Sequence, residues 1–108
     1  MNTKIKFTYK DVPYVLEYDR DSIRIMEQHG FVIEDFAKKP MSSLDIAFKG
    51  LFIKNHRRTN DKLVEEIYDN LKNKEALMEK ILVMIDETYN TLFDEEKEDT
   101  GNIEWDVA

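Results

Sequence analysis

Apolar and polar side chains alternate in two short runs near the start of the chain. One run lies in Lys4–Tyr9 and the other in Tyr14–Tyr18, with the short turn-like segment Lys10–Pro13 between them. Alternation places every second side chain on the same face of a strand. Two such runs joined by a short turn predict an antiparallel β-hairpin over residues 4–18. Because an isolated hairpin is marginally stable in water, its aromatic face is expected to pack on the segments that follow.

Beyond the hairpin, apolar residues recur at the three- and four-residue spacing of amphipathic helices. Asp19 or Asp21 is placed to cap the first helix and Gly30 to end it, while Ser42-x-x-Asp45 resembles a capping box that opens the third. The spacing predicts helices at about residues 20–28, 32–39, 43–55, 61–71 and 74–93.

The last predicted helix has more apolar surface than one neighbouring helix can cover. Its apolar residues occupy roughly half of a helical wheel, whereas an ordinary amphipathic stripe is little more than about 100° wide. They are Leu77, Met78, Ile81, Leu82, Met84, Ile85, Tyr89, Leu92 and Phe93. This helix therefore lies at the centre of a bundle or contacts a partner.

Asn73 is placed to cap this last helix. If the chain does not reverse there, residues 61–93 form one long bent helix, and both arrangements stay open.

These patterns predict a mainly α chain with an N-terminal β-hairpin, an α+β fold with a small bundle of four to five helices. Residues 1–93 would form one domain, and residues 94–108 an acidic, flexible tail that ends in a short apolar strip. The 108 residues, 42% of them hydrophobic and 36% charged, suffice for one modest core. Cysteine is absent, which excludes disulfides, zinc–thiolate sites and cysteine nucleophiles.

Charge and chemistry narrow the classes of function. The net charge is −7, with eleven Lys and Arg against eight Asp and Glu in residues 1–58 and five against fifteen in residues 59–108. An acidic total argues against nucleic-acid binding, and no run approaches the ~18 apolar residues of a membrane span. Neither His29 nor His56 has a second metal ligand at helical spacing, and no nucleophile–base pair or phosphate loop is visible. We therefore expect a soluble, non-enzymatic intracellular protein with no metal or cofactor.

Three groups of residues are candidates for contacts with a partner protein. The first is a second apolar stripe on the third helix, where a glycine flanked by isoleucines makes a notch for another backbone, more readily from this chain than from a partner. The second is a pair of methionines at the margins of the last helix, suited to adaptable contacts. The third is the alternating terminal strip, which docks either on its own domain or in a partner's groove. The groups comprise Ile46, Gly50 and Ile53; Met78 and Met84; and Ile103, Trp105 and Val107.

Several segments together resemble the small tail assembly chaperones of long-tailed, siphovirus-like bacteriophages and prophages. They are the strands KFTY and YVLEYDR (Lys6–Tyr9 and Tyr14–Arg20), the helical middle with Phe31–Phe36, and the acidic end closing on NIEWDV (Asn102–Val107). The resemblance implies a small, helical, self-associating protein of the bacterial host cytoplasm that keeps the tape measure protein soluble during tail assembly. It carries over no catalytic residues. In that family a longer frameshifted product is thought to recruit the major tail tube protein, and this sequence corresponds to the short form.

Two other classes remain as alternatives. One is a structural head–tail connector or tail completion protein that stays in the virion. The other is a small acidic regulator, such as an antitoxin or a DNA mimic, whose contact with a basic partner would weaken with salt.

Overall fold

The computed structural model describes residues 3–94, in which a β-hairpin is followed by four α-helices and one short 3₁₀ helix. The strands are β1 (Ile5–Tyr9) and β2 (Val12–Leu16), and the 3₁₀ helix is Ile33–Phe36. The α-helices are α1 (Arg20–Gln28), α2 (Pro40–Gly50), α3 (Asp61–Asn70) and α4 (Lys74–Asp94). The predicted α+β class, a hairpin leading a small helical bundle, is confirmed. The predicted apolar strip and all of the acidic tail after Asp94 lie outside the described residues.

The hairpin turn is shorter than the sequence suggested. β1 and β2 pair antiparallel, with Tyr9 opposite Val12 and Thr8 opposite Pro13. Only Lys10 and Asp11 remain in the loop, and both have positive φ, 49° and 66°, as in a type I′ turn. The predicted turn Lys10–Pro13 is therefore wrong in its second half. A proline is tolerated in β2 because its nitrogen, which has no hydrogen to donate, faces the open edge of the hairpin.

Both ends of α1 are set by local chemistry, as predicted. Asp19 caps the helix, since its Oδ1 accepts from the Ser22 backbone N–H at 2.8 Å while Ser22 Oγ accepts from the Asp19 N–H at 2.7 Å. At the other end Gly30 has a φ of 95° and the Phe31 N–H donates to the Met26 carbonyl at 3.0 Å. These are the features of a Schellman motif.

α2 starts and ends earlier than predicted. It begins at Pro40, which suits the first helical position because φ is fixed and no N–H is left unpaired. Ser42 therefore lies inside the first turn, and the expected capping box with Asp45 is wrong. After Gly50 the Leu51, Phe52 and Ile53 N–H groups bond carbonyls three residues back. The segment predicted to continue the helix to residue 55 is thus a run of tighter turns. The helix predicted at 32–39 likewise shortens to the 3₁₀ helix.

α3 and α4 are separate helices, so the alternative of one long helix over residues 61–93 is wrong. The chain turns at Asn73, which has a φ of 60°. The Asn73 side chain also caps α4, because Oδ1 accepts from the Ala76 N–H at 3.2 Å. Asparagine tolerates this left-handed conformation better than most residues.

Asn73→Ala is expected to lower the free energy of unfolding by about 1–2 kcal/mol, because it removes the cap and strains the left-handed backbone. Asn73→Gly is the matched control: it loses the cap but accepts the positive φ, and should cost only about a few tenths of a kcal/mol. Urea denaturation of the three proteins measures both values. Equal losses for alanine and glycine would show that the positive φ carries no cost here.

One core joins the hairpin to every helix described. α4 contributes its most buried side chains to it, and half-buried Leu77, Met78 and Tyr89 pack at its margin. The buried apolar residues are Tyr14, Leu16, Tyr18, Ile23, Met26, Phe31, Phe36, Leu44, Ala47, Phe48, Leu51, Phe52, Val64, Ile67, Ile81, Met84 and Ile85. On α4, Leu82 and Val83 are left exposed. Over Leu77–Tyr89, the part of the broad apolar face whose side chains are described, most of it is therefore covered within the chain. No helix in residues 3–94 combines the length and apolar character needed to cross a bilayer.

The segment between α2 and α3 is bound to the open edge of β2. The Val15 N–H donates to His56 Nε2 at 3.0 Å, and Asn55 Nδ2 donates to the Val15 carbonyl at 3.1 Å. His56 is therefore the tautomer with its proton on Nδ1. Two side chains take the hydrogen-bonding positions of a third strand, which covers this edge and holds the end of α2 in place.

Candidate partner-binding surface

The second apolar stripe, predicted for the third helix, lies along a groove that begins on α2 and continues into the turns after it. Ile46, Gly50 and Ile53 lie together along a depression of about 430 Å³ that is bounded by α1, α2 and the first residues of α3. The other side of α2 points into the core through Leu44, Ala47 and Phe48. α2 thus separates the hydrophobic core from a surface groove, and the stripe marks the outer side.

The notch at Gly50 is filled from within the chain. A Cβ added to Gly50 would lie 2.3 Å from Met26 Sδ, and Met26 is only 1% exposed. The notch therefore makes a contact within the chain, which is the alternative that the sequence favoured. It is occupied by a side chain from α1, however, and not by a backbone. Gly50 is buried, so the prediction that it contacts a partner directly needs correcting. Its role is to let α1 and α2 approach each other.

The apolar side chains still accessible in the groove are three isoleucines, Ile25, Ile46 and Ile53, each half-buried. Ile46 also packs against the core, whereas Ile25 and Ile53 line the groove without joining the core cluster. Because these β-branched side chains have few rotamers, they present a fairly rigid apolar floor. The groove is suited to reversible contact with another apolar surface.

Charged residues surround this floor without giving it one dominant sign. Lys49 Nζ lies 3.5 Å from Asp45 Oδ2 and 3.8 Å from Asp61 Oδ2, which links α2 to the first residue of α3. His29 and Arg57 lie on the same rim. Since acids and bases are both present, apolar contact is the main property that the groove offers.

Sequence reasoning missed Ile25. Ile23 and Met26 face the core from α1, and Ile25, two positions from Ile23, lies on the opposite side of the helix. That placement was itself a signal, because an isoleucine on the otherwise polar side of a short helix covers either a neighbouring element or a partner. Here it lies beside the α2 stripe, which no local pattern in α1 reveals.

The other candidate residues are not part of this groove. Met84 is 2% exposed and belongs to the core, so its assignment to a partner surface is corrected. Met78 is half-buried at the margin of the core on α4. The candidates in the terminal strip, Ile103, Trp105 and Val107, lie outside the described residues. Among the described side chains, which end at residue 91, His, Asp and Glu form no group of three arranged to hold a metal ion.

Comparisons with known proteins identify a family. Residues 1–108 match the family described as "Domain of unknown function (DUF5055)", and the chain belongs to that family. No curated protein and no solved structure matches the chain.

Proposed function

We propose that this DUF5055 member is a tail assembly chaperone of long-tailed bacteriophages, a non-enzymatic protein that binds the tape measure protein and keeps it soluble. The observation that carries the proposal is the groove lined by Ile25, Ile46 and Ile53. An amphipathic helix is recognised by laying its apolar face into such a groove. The resemblance of the strands, the helical middle and the acidic end to that chaperone family supports the same assignment.

The surface fits a chaperone that must later be displaced. Three half-buried isoleucines offer modest apolar area, so one copy binds weakly and many copies along a long helical client bind well together. The net charge of −7 would keep the coated client soluble. The proposal places the protein in the bacterial host cytoplasm, with self-association as copies line up. The major tail tube protein would be recruited through a longer frameshifted product.

Co-expression with the tape measure protein of the same phage or prophage tests this proposal. The tape measure protein is expected to move from the insoluble to the soluble fraction and to co-purify with the chain. A tape measure protein that stays insoluble with and without the chain would overturn the proposal.

Mass spectrometry of mature particles separates the proposal from the connector alternative. A chaperone is displaced before the tail is complete, so the chain should be absent from purified virions. Its presence there at the stoichiometry of a structural protein would instead assign it as a connector or completion protein.

A further inference from the structure

A second, smaller groove lies between α2 and α3 and has a different electrostatic character. Its volume is about 120 Å³, close to the ~150 Å³ of an engineered cavity that accepts benzene, so it has room for one apolar side chain. It meets the isoleucine groove at Asp45 and Val64, which line both. Its apolar lining consists of Met41, Leu44, Phe48, Val64 and Tyr68.

The floor of this groove consists of buried, closely packed side chains, and one exposed apolar side chain lies at its open end. Leu44, Phe48 and Val64 are buried, and the Phe48 and Tyr68 rings pack edge to face with centroids 5.2 Å apart. At the open end Met41 is 79% exposed, more than any other large apolar residue in residues 3–91. A flexible, exposed methionine beside a rigid aromatic wall is suited to covering an inserted side chain.

The rim of the groove is negative. Asp45, Glu65 and Asp69 border it, and the Glu65 and Asp69 carboxylates make no ion pair within the described part of the chain. Asp45 is partly neutralised by Lys49 at 3.5 Å. Lys74 Nζ donates to the Leu71 carbonyl at 2.5 Å and to the Asp69 backbone carbonyl at 3.5 Å, and it lies 5.0 Å from the Tyr68 ring centroid. Among the described side chains, therefore, the Glu65 and Asp69 carboxylates beside this apolar pocket form no ion pair, and Lys74 contacts only backbone carbonyls and the Tyr68 ring.

We infer that this groove docks a basic amphipathic helix of another protein, with an apolar side chain in the pocket and Lys or Arg residues against Glu65 and Asp69, since Asp45 already pairs with Lys49. These two acids are four residues apart on α3, one helical turn, which matches the spacing of a lysine pair at i and i+4 on a bound helix. The acidic end of this chain has the wrong sign to be the occupant. The inference rests on the proposed function, since it names the surface and the charge of a helical client.

A synthetic amphipathic peptide of leucine and lysine, labelled with fluorescein, is the probe, and fluorescence anisotropy measures its dissociation constant. The full chain should bind it, but should not bind a peptide with glutamate in place of lysine or one with serine in place of leucine. Glu65→Lys/Asp69→Lys should weaken binding by about tenfold. Met41→Ser, a change at a highly exposed residue, should weaken it by about threefold because one apolar contact is lost.

Glu75→Lys/Glu79→Lys is the matched control, because it makes the same charge change on exposed residues of α4 that do not line the groove. It should alter binding by less than about twofold. Equal weakening by the two double variants would reduce the effect to net charge and overturn the inference. Binding of the serine peptide would also overturn the inference. The same holds if the wild type does not bind the peptide of leucine and lysine.

Two further outcomes would also overturn the inference. Oligomers of the wild type that Glu65→Lys/Asp69→Lys dissociates, measured by sedimentation, would make the groove a contact between copies. A tape measure protein that co-purifies equally with this variant and the wild type would leave the proposed function standing and remove this groove from it.

Discussion

Replacing Met26 by alanine will lower the free energy of unfolding by about 2–5 kcal/mol, the range for truncating a fully buried aliphatic side chain. Met26 is 1% exposed and lies directly over Gly50, so its removal leaves a cavity between α1 and α2. The glycine supplies no Cβ to fill the space. Urea denaturation monitored by circular dichroism measures the loss.

Gly50→Ala tests the same contact from the other side. Its new Cβ would lie 2.3 Å from Met26 Sδ and 2.6 Å from Cγ, and overpacking of this kind costs about 1–3 kcal/mol. With Met26→Ala already present, the same change should be neutral or stabilising, since the clash is gone and alanine favours a helix over glycine by about 1 kcal/mol. The sign of the Gly50→Ala effect therefore depends on residue 26. Simple addition of the two losses would contradict this packing.

Replacing Glu17 by glutamine will cost about 2–3 kcal/mol near pH 7. Glu17 is only 5% exposed, and its carboxylate accepts from Lys54 Nζ at 3.1 Å and from Asn55 Nδ2 at 2.9 Å. Hydrogen bonds to charged groups contribute about 1.5–3 kcal/mol each, and glutamine replaces one acceptor with a donor that faces other donors. Glu75→Gln on the exposed side of α4 is the control and should change the unfolding free energy by less than about 0.5 kcal/mol.

The cost of Glu17→Gln should also depend on pH. Burial acts to raise the pKa of Glu17, but hydrogen bonds from Asn55 and Lys54 and the charges of Lys54 and Lys4 outweigh it, and the pKa lies below its ordinary value of 4.5. The fold therefore favours the ionised form, and this stabilisation is complete above that ordinary value. As the pH falls through the pKa that Glu17 has in the folded protein, the wild type loses this stabilisation. The difference in unfolding free energy between the wild type and Glu17→Gln should therefore shrink. A difference that widens in acid would show that ionised Glu17 does not supply this stabilisation.

Local signals were reliable where the chemistry is local. The Asp19 cap, the Gly30 ending and the Asn73 cap were predictable, because each needs only a side chain or a backbone conformation within a few residues. The start of α2 was not, because Ser42 competes with Pro40 as a helix-start signal and the proline is the stronger one here. Helix propensity and the spacing of apolar residues do not show which of two start signals, only two residues apart, begins the helix.

Long-range packing explains the remaining differences. The stripe of Ile46, Gly50 and Ile53 was visible in the sequence, but only the approach of α1 identifies Met26 as the residue over the glycine and Ile25 as a fourth lining residue. On a helical wheel Met84 lies at the margin of the apolar face of α4, yet its side chain is buried. The surrounding elements therefore cover a wider part of α4 than the wheel alone indicates. An apolar face read from sequence does not say how many neighbours will cover it.

The proposed function requires that the isoleucine groove beside α2 binds the helical client. The most direct measurement is the amount of tape measure protein that co-purifies with Ile25→Asp/Ile53→Asp, compared with Leu82→Asp/Val83→Asp on the exposed side of α4. Both variants introduce two charges at accessible apolar positions, and thermal unfolding shows that each is folded. We expect the groove variant to lose about 90% of the client, a tenfold change, and the α4 variant to retain it. Loss of the client only with the α4 variant, or equal loss with both, would contradict the claim.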